Sequence, residues 1–177
     1  MSVTKVSSAM QDLTDDYAFT GTVTGAGKVV QVVNTQTGAY ATGTTQLPSD
    51  DTIPQISEGV EWSALERTIT PTSASNKLLI IVNIWLSSSI ANANISTALF
   101  KSGTTSALSS GFHFMGSVGR IHNTTIIHYE AAGSTSELTF QVRSGTDAAS
   151  TVRLNGDANR EHGGAMESSV TVWEIAV

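Results

Sequence analysis

The sequence predicts an all-β protein, an antiparallel β-sandwich or jelly roll of about eight to ten strands, preceded by a short N-terminal arm. From residue 28 onward, short apolar runs alternate with turn signals roughly every 8–15 residues, and no stretch has the apolar spacing of a helix. The composition agrees, because only 14% of residues are charged and 6% aromatic, while small and hydroxylated residues dominate. We divide the chain into an arm, residues 1–27, and a sandwich domain, residues 28–177.

The arm carries apolar residues at alternating intervals of three and four. A short helix would place them along one seam, but helices below about 12–15 residues are marginal on their own. The stretch "TGTVTGAG", residues 20–27, indicates an extended connector. The arm is therefore expected to be a short helix or extended, and to attach the domain to another protein or to sister chains through Val3, Val6, Met10, Leu13 and Tyr17.

The sandwich domain contains five clear β-like runs. A change in the parity of the apolar residues near Ala64–Leu65 predicts a β-bulge in the second run, and Asn155–Gly156 predicts a tight turn. The fourth run alternates inward apolar and outward polar residues. In order, the runs are 28–33, 60–70, 77–87, 138–144 and 168–177.

The third run is apolar on both faces, although an antiparallel sheet in a sandwich needs only one apolar face. Its first face consists of alternate residues from Leu78 to Leu86, and the terminal run repeats the pattern. Two explanations are open for the second face: loops of the same chain cover it, or it is buried in a subunit interface. We favour the interface and expect an oligomer, whose contact residues are Leu79, Ile81, Trp85, Trp173 and Ile175.

Charge and composition exclude several classes of partner. The net charge is −6 and the nine basic residues are scattered, so we expect no nucleic-acid partner. No run approaches the roughly 20 apolar residues that span a bilayer, and no signal peptide is visible. We expect no membrane insertion, and we expect the protein to be made in the cytoplasm of the cell that expresses it. The absence of cysteine excludes disulfides and thiolate chemistry.

Catalytic and metal-binding patterns are also absent from the sequence. His122 and His128 share a strand face, but six residues of strand separate them by about 20 Å, too far for one metal ion. Asp50 and Asp51 are adjacent, so on an extended backbone they point apart instead of flanking one bond. We expect no enzymatic activity, no cofactor and no bound metal.

Two motifs carry a resemblance to a known family. "DDTIPQISEGVEW", residues 50–62, and "ITPTSASNKLLI", residues 69–80, are similar to a module of tail fibres and other virion proteins of tailed bacteriophages. Matching elements follow in the same order across residues 28–177. They are Ala98–Phe100, Thr125–Tyr129, "AAGSTSELTFQVR", Asn155–Gly156, Gly163–Gly164 and "SSVTVWEIAV".

The resemblance implies a homotrimeric knob on a virion, bound to other virion proteins and touching the host cell surface, with a host glycan as a candidate ligand. Long tail fibres carry shaft repeats before such a knob, whereas only about 27 residues precede the domain in this sequence. A capsid decoration, a head fibre or a small tail-fibre tip therefore fits better than a long fibre. The arm residues above would then attach the knob to the virion.

A loop-like stretch, residues 109–120, is the candidate receptor contact, through His113 and Arg120. Its other large side chains, Phe112, Phe114 and Met115, are expected in the core.

Two alternatives stay open. A free-standing carbohydrate-binding module would use exposed aromatic residues, with Trp62, Trp85, Trp173 and Tyr129 as candidates. A glycan-degrading enzyme would need two carboxylates about 5–10 Å apart, and the sequence nominates no such pair.

Overall fold

The computed structural model describes residues 28–177, which form eleven strands and two 3-10 turns and contain no α-helix. This confirms the predicted all-β class. The strands are β1 Val29–Thr37, β2 Ala41–Gly43, β3 Val60–Glu61, β4 Arg67–Ile69, β5 Lys77–Ser88, β6 Ala93–Lys101, β7 Ser109–Met115, β8 His122–Ala131, β9 Leu138–Thr146, β10 Val152–Leu154 and β11 Ser168–Ile175. The 3-10 turns are Ser63–Leu65 and His162–Gly164.

The strands form two antiparallel sheets. In the larger sheet β5 is central: β8 pairs with one side of it, β11 and β10 pair with successive parts of the other side, and β1 and β2 lie outermost. In the smaller sheet β9 is paired with β3, β4 and β6, and β7 forms the edge beyond β6. Most connections from β4 onward cross from one sheet to the other, as in a jelly roll.

The core lies between the two sheets, where alternate residues of each strand meet. The face of β5 that begins at Leu78 is fully buried, and β9 contributes Phe140 and Val142 from the opposite sheet. These positions have the two-residue period of a pleated strand, which is why the predicted inward residues are the buried ones. Further core residues are Trp62, Leu65, Ile95, Leu99, Met115, Val170 and Val172.

The predicted β-bulge near Ala64–Leu65 is wrong. The chain there forms the 3-10 turn Ser63–Leu65, which buries Leu65 and separates β3 from β4. Both short strands pair with β9, so the parity change in the sequence marks an interruption between two strands. A register shift does occur in β1, between Val29 and Gln31.

A buried carboxylate joins two of the sequence motifs. The side chain of Glu174 in β11 is fully buried and accepts hydrogen bonds from Thr72 and Asn76, which belong to the "TPTSASNK" stretch, and from Gln31 in β1. The donor–acceptor distances run from 2.6 to 2.9 Å. Burial by itself raises the pKa of Glu174, but these hydrogen bonds outweigh it and lower the pKa to about 2.

Candidate functional site: the uncovered face of the larger sheet

The outer faces of the two sheets differ in their covering. On the smaller sheet, Ala98 and Phe100 point away from the central core, yet both are fully buried. The segment 44–59 lies over them, placing Leu47 and Ile56 against this face. In the described part of the chain, no comparable segment covers the outer face of the larger sheet.

The segment that contains "DDTIPQISEG" is therefore a cover held by its own hydrogen bonds. Asp50 accepts hydrogen bonds from the backbone N–H and the hydroxyl of Thr52, which lower the pKa of Asp50. The Glu58 carboxylate accepts the Gln55 N–H at 2.7 Å, and the Pro54 carbonyl accepts the Ala107 N–H at 2.9 Å. These contacts fix the loop against the start of β7 and explain the spacing of its polar residues.

The outer face of the larger sheet is built from strand registers that align apolar side chains. One row across the sheet contains Val32, Trp173, Leu79 and Tyr129. The next apolar row sets Ile81 opposite Ile127 on β8 and Thr171 on β11. We call the apolar outward residues of this sheet the face patch: Val32, Leu79, Ile81, Trp85, Ile127, Tyr129, Trp173 and Ile175.

Side chains of the face patch are strongly exposed at its β8 and β1 sides. Ile127 is 65% exposed, Tyr129 55% and Val32 46%, while the members on β5 and β11 are half-buried. Single exposed apolar residues are ordinary on a protein surface, but a contiguous apolar patch marks an interaction site. The face patch is therefore the candidate functional surface.

The predicted interface residues lie together on this face. Leu79, Ile81 and Trp85 alternate along β5, and Trp173 and Ile175 lie beside them on β11. Their role in an interface stays a prediction.

Sequence reasoning did not assign Val32, Ile127 and Tyr129 to the interface. Alternation along 122–131, in which Thr125, Ile127 and Tyr129 share one parity, is the signal that identifies the β8 members.

Charges are confined to the ends of this face in the described structure. Lys77 lies at one end, in the register row of Ile175 and Ala131. At the other end Arg153 forms an ion pair with Asp157. The centre is thus suited to an apolar partner surface.

The candidate receptor stretch 109–120 differs from its prediction. Met115 is fully buried as expected, but the prediction that Phe112 and Phe114 lie in the core is wrong, since they are 63% and 59% exposed. Both belong to β7, where Gly111, His113 and Met115 face inward and leave the alternate positions outside. We call Phe112 and Phe114 the edge patch.

His113 and Arg120, the predicted receptor contacts, lie beside β8. The His113 ring stacks on that of His122 with their centroids 5.3 Å apart, so β7 and β8 run close together along one side of the sandwich. Burial lowers the pKa of His122, and electrostatic repulsion from the neighbouring His113 and Arg120 side chains lowers it further. Their role in receptor contact stays a prediction.

An open groove of about 380 Å³ lies between residues 50–54 and 107–110. Asp50 and Asp51 line it together with Ser109 and Ser110. Within residues 28–177, no group of three or more His, Asp or Glu side chains is placed to hold a metal ion. The same residues include no helix long and apolar enough to cross a membrane. The predicted attachment residues Val3, Val6, Met10, Leu13 and Tyr17 lie outside the described residues.

No family model and no curated protein matches the chain. Among solved structures, Eiger TNF from S. frugiperda aligns with a TM-score of 0.48 at 10% identity, over 82% of this chain and 93% of that one. The VP2 subviral particle of infectious bursal disease virus aligns with a TM-score of 0.37 at 10% identity, over 83% of this chain but 40% of that one. A Bacillus endospore appendage protein aligns with a TM-score of 0.32 at 12% identity, over 91% of this chain and all of that one. At these values the likenesses assign no function to the chain.

Proposed function

We propose that the protein is a structural component of a bacteriophage virion. It is a compact homotrimeric knob of the head-fibre, capsid-decoration or short tail-fibre type, attached to the particle by residues 1–27. Its outward surface touches the host cell. The knob is passive in this account and performs no chemical reaction.

The face patch is the observation that carries this proposal. The larger sheet leaves an apolar, centrally uncharged surface without a covering segment in the described chain, and sister subunits would cover it. The order of motifs along residues 28–177, which resembles phage fibre modules, supports the virion setting. The loop 50–59 supports the passive role, because the carboxylates of Asp50 and Glu58 accept hydrogen bonds from the loop's own backbone N–H groups.

Immunogold labelling of intact, gradient-purified particles tests the virion location. We expect label at regular positions on the particle surface. Recovery of the chain only from the soluble fraction of infected cells would contradict the proposal.

Competition for host adsorption tests the contact with the cell. Purified protein added to host cells is expected to reduce particle adsorption, and the His113→Ala/Arg120→Ala variant to compete less well. Equal competition by this variant would remove these two residues from the receptor surface.

The exposed aromatic residues favour a second candidate, a carbohydrate-binding module. Tyr129, Phe112 and Phe114 each expose more than half of their surface, as a sugar-stacking platform requires. Of the tryptophans, Trp62 is buried and Trp85 and Trp173 are half-buried. Binding on a glycan array by a protein that stays monomeric would favour this candidate over the knob.

A further inference from the structure

We propose that the subunits associate by a heterologous contact, in which the edge patch of one copy docks on the face patch of the next. This inference rests on the proposed homotrimer and specifies how it is built. Each subunit uses two different surfaces, so the contacts run head to tail and close into a ring.

The first step is that the chain carries two separate apolar surfaces. The face patch lies on the outer face of the larger sheet, and the edge patch lies on the outermost strand of the smaller sheet. Aromatic side chains bury about 150–250 Å² each, so Phe112 and Phe114 alone supply a large apolar contact. A two-fold contact between face patches would leave both phenylalanines in water. A heterologous contact buries both surfaces.

The second step concerns where the two surfaces lie relative to the contact between β7 and β8. Gly111 and Thr124 approach each other across the side of the sandwich, and His113 stacks on His122 two residues further along. The strands β7 and β8 are therefore neighbours, and the two patches point outward from different sheets on either side of this contact. A head-to-tail contact between two such surfaces forms a ring where the rotation between successive copies closes and a filament where it does not, so a trimeric mass distinguishes the ring.

The third step is charge complementarity at the ends of the patches. Lys28 and Lys77 lie at one end of the larger sheet, beside Val29, Ile175 and Ala176. Asp50 and Asp51 are exposed and lie beside Ser109 and Ser110, where the edge strand begins. When the edge patch of one copy docks on the face patch of the next with these ends together, Asp50 and Asp51 of the first copy lie opposite Lys28 and Lys77 of the second. Such rim charges select orientation more than they add affinity.

Two single substitutions in the full-length chain test the arrangement. Ile127→Asp places a carboxylate in the face patch and Phe112→Asp places one in the edge patch. Both positions are more than 60% exposed, so the fold should survive. Ala64→Asp is the matched control, because Ala64 is exposed on the 3-10 turn beside β1 and belongs to neither patch. Thermal unfolding verifies that all three variants fold.

Light scattering then reports the mass of each sample. We expect wild type and Ala64→Asp to be trimers, and each patch variant alone to associate at least about a hundredfold more weakly, since an unpaired buried carboxylate is costly. An equimolar mixture of the two patch variants should form 1:1 dimers, because one retains an intact edge and the other an intact face. A trimeric Phe112→Asp variant, a monomeric mixture or a monomeric wild type would each overturn the inference.

Chemical cross-linking gives an independent readout. The natural chain has no cysteine, so Ile127→Cys and Phe112→Cys are unique attachment points for a short bismaleimide. We expect cross-linked dimers in the mixture that join position 127 to position 112, and few in either variant alone. Predominant 127-to-127 links would overturn the heterologous contact while leaving the virion location, which is measured on particles, unaffected.

Discussion

The buried carboxylate of Glu174 makes the most quantitative prediction about this fold. Replacing it with glutamine removes the negative charge that accepts hydrogen bonds from Gln31, Thr72 and Asn76. The amide also turns one acceptor position into a donor, so at least one buried partner loses its acceptor. An unsatisfied buried donor costs about 1–3 kcal/mol, and the loss falls on the contact between β1, β11 and the loop before β5.

The pH dependence gives a second measure of the same contact. The pKa of Glu174 is about 2 in the folded chain, against 4.5 for an unperturbed glutamate. At about 1.4 kcal/mol per unit, the shift corresponds to at most about 3.5 kcal/mol of stability. Because the folded pKa is the lower one, this stability is fully present above pH 4.5 and is lost as pH falls from 4.5 towards 2.

Urea unfolding, followed by tryptophan fluorescence at several pH values, measures both effects. We expect Glu174→Gln to unfold at lower urea and to lose less stability than wild type as pH falls from about 4.5 to about 2. Glu167→Gln is the control, since Glu167 is exposed and accepts one hydrogen bond, from Gln36. It should change stability by less than about 0.5 kcal/mol. A Glu174→Gln variant with the stability and acid profile of wild type would refute the reasoning.

Three further predictions concern His122 in β8, the contact between β9 and the segment 44–59, and the loop 50–58. Because the pKa of His122 is lowered in the folded chain, wild type should lose stability as pH falls below about 6.5, and His122→Asn should reduce that loss in pH-dependent unfolding. In Gly145→Ala the new methyl group would lie 2.5 Å from the Leu47 nitrogen and 2.6 Å from the Thr45 oxygen. We therefore expect the free energy of unfolding in urea to fall by about 1–3 kcal/mol. Gly116→Ala is the control, because the space around Gly116 is open and the substitution should cost little. Glu58→Ala removes the acceptor for a backbone N–H, so limited proteolysis should cut the loop 50–58 faster than in wild type; equal cutting rates would contradict its bracing role.

The central strand shows how much of the fold the sequence contains. Alternation from Leu78 to Leu86 predicts the buried face of β5, and the apolar residues between them predict the outward face that includes Trp85. This prediction succeeds because a strand has a strict two-residue period, so parity alone assigns each side chain to a face.

Other features depend on contacts that parity does not encode. The partners of Glu174 are 98 to 143 residues away along the chain, so only the folded topology brings them together. Phe112 and Phe114 have the apolar character of core residues, and their exposure follows from the parity of Met115, which is buried. The cover formed by residues 44–59 is irregular, and its position depends on specific hydrogen bonds to β6, to β9 and to residues 105–107 before β7.

Alternation of apolar residues predicted part of the candidate site but not all of it. Its β5 and β11 members belong to strands whose second apolar face is visible in the sequence. Ile127 and Tyr129 belong to a strand with many polar residues. Alternation shows that they share a face, and the register with Ile81 and Leu79 places that face in the face patch.

The mass of the full-length protein in solution tests the central claim, that copies of this chain cover the face patch of the larger sheet. Light scattering across a wide range of protein concentrations should give three times the 18.5 kDa of one chain. Ile127→Asp should shift the mass towards that of one chain at the same concentrations. A wild-type protein that stays at the mass of one chain throughout would contradict the account.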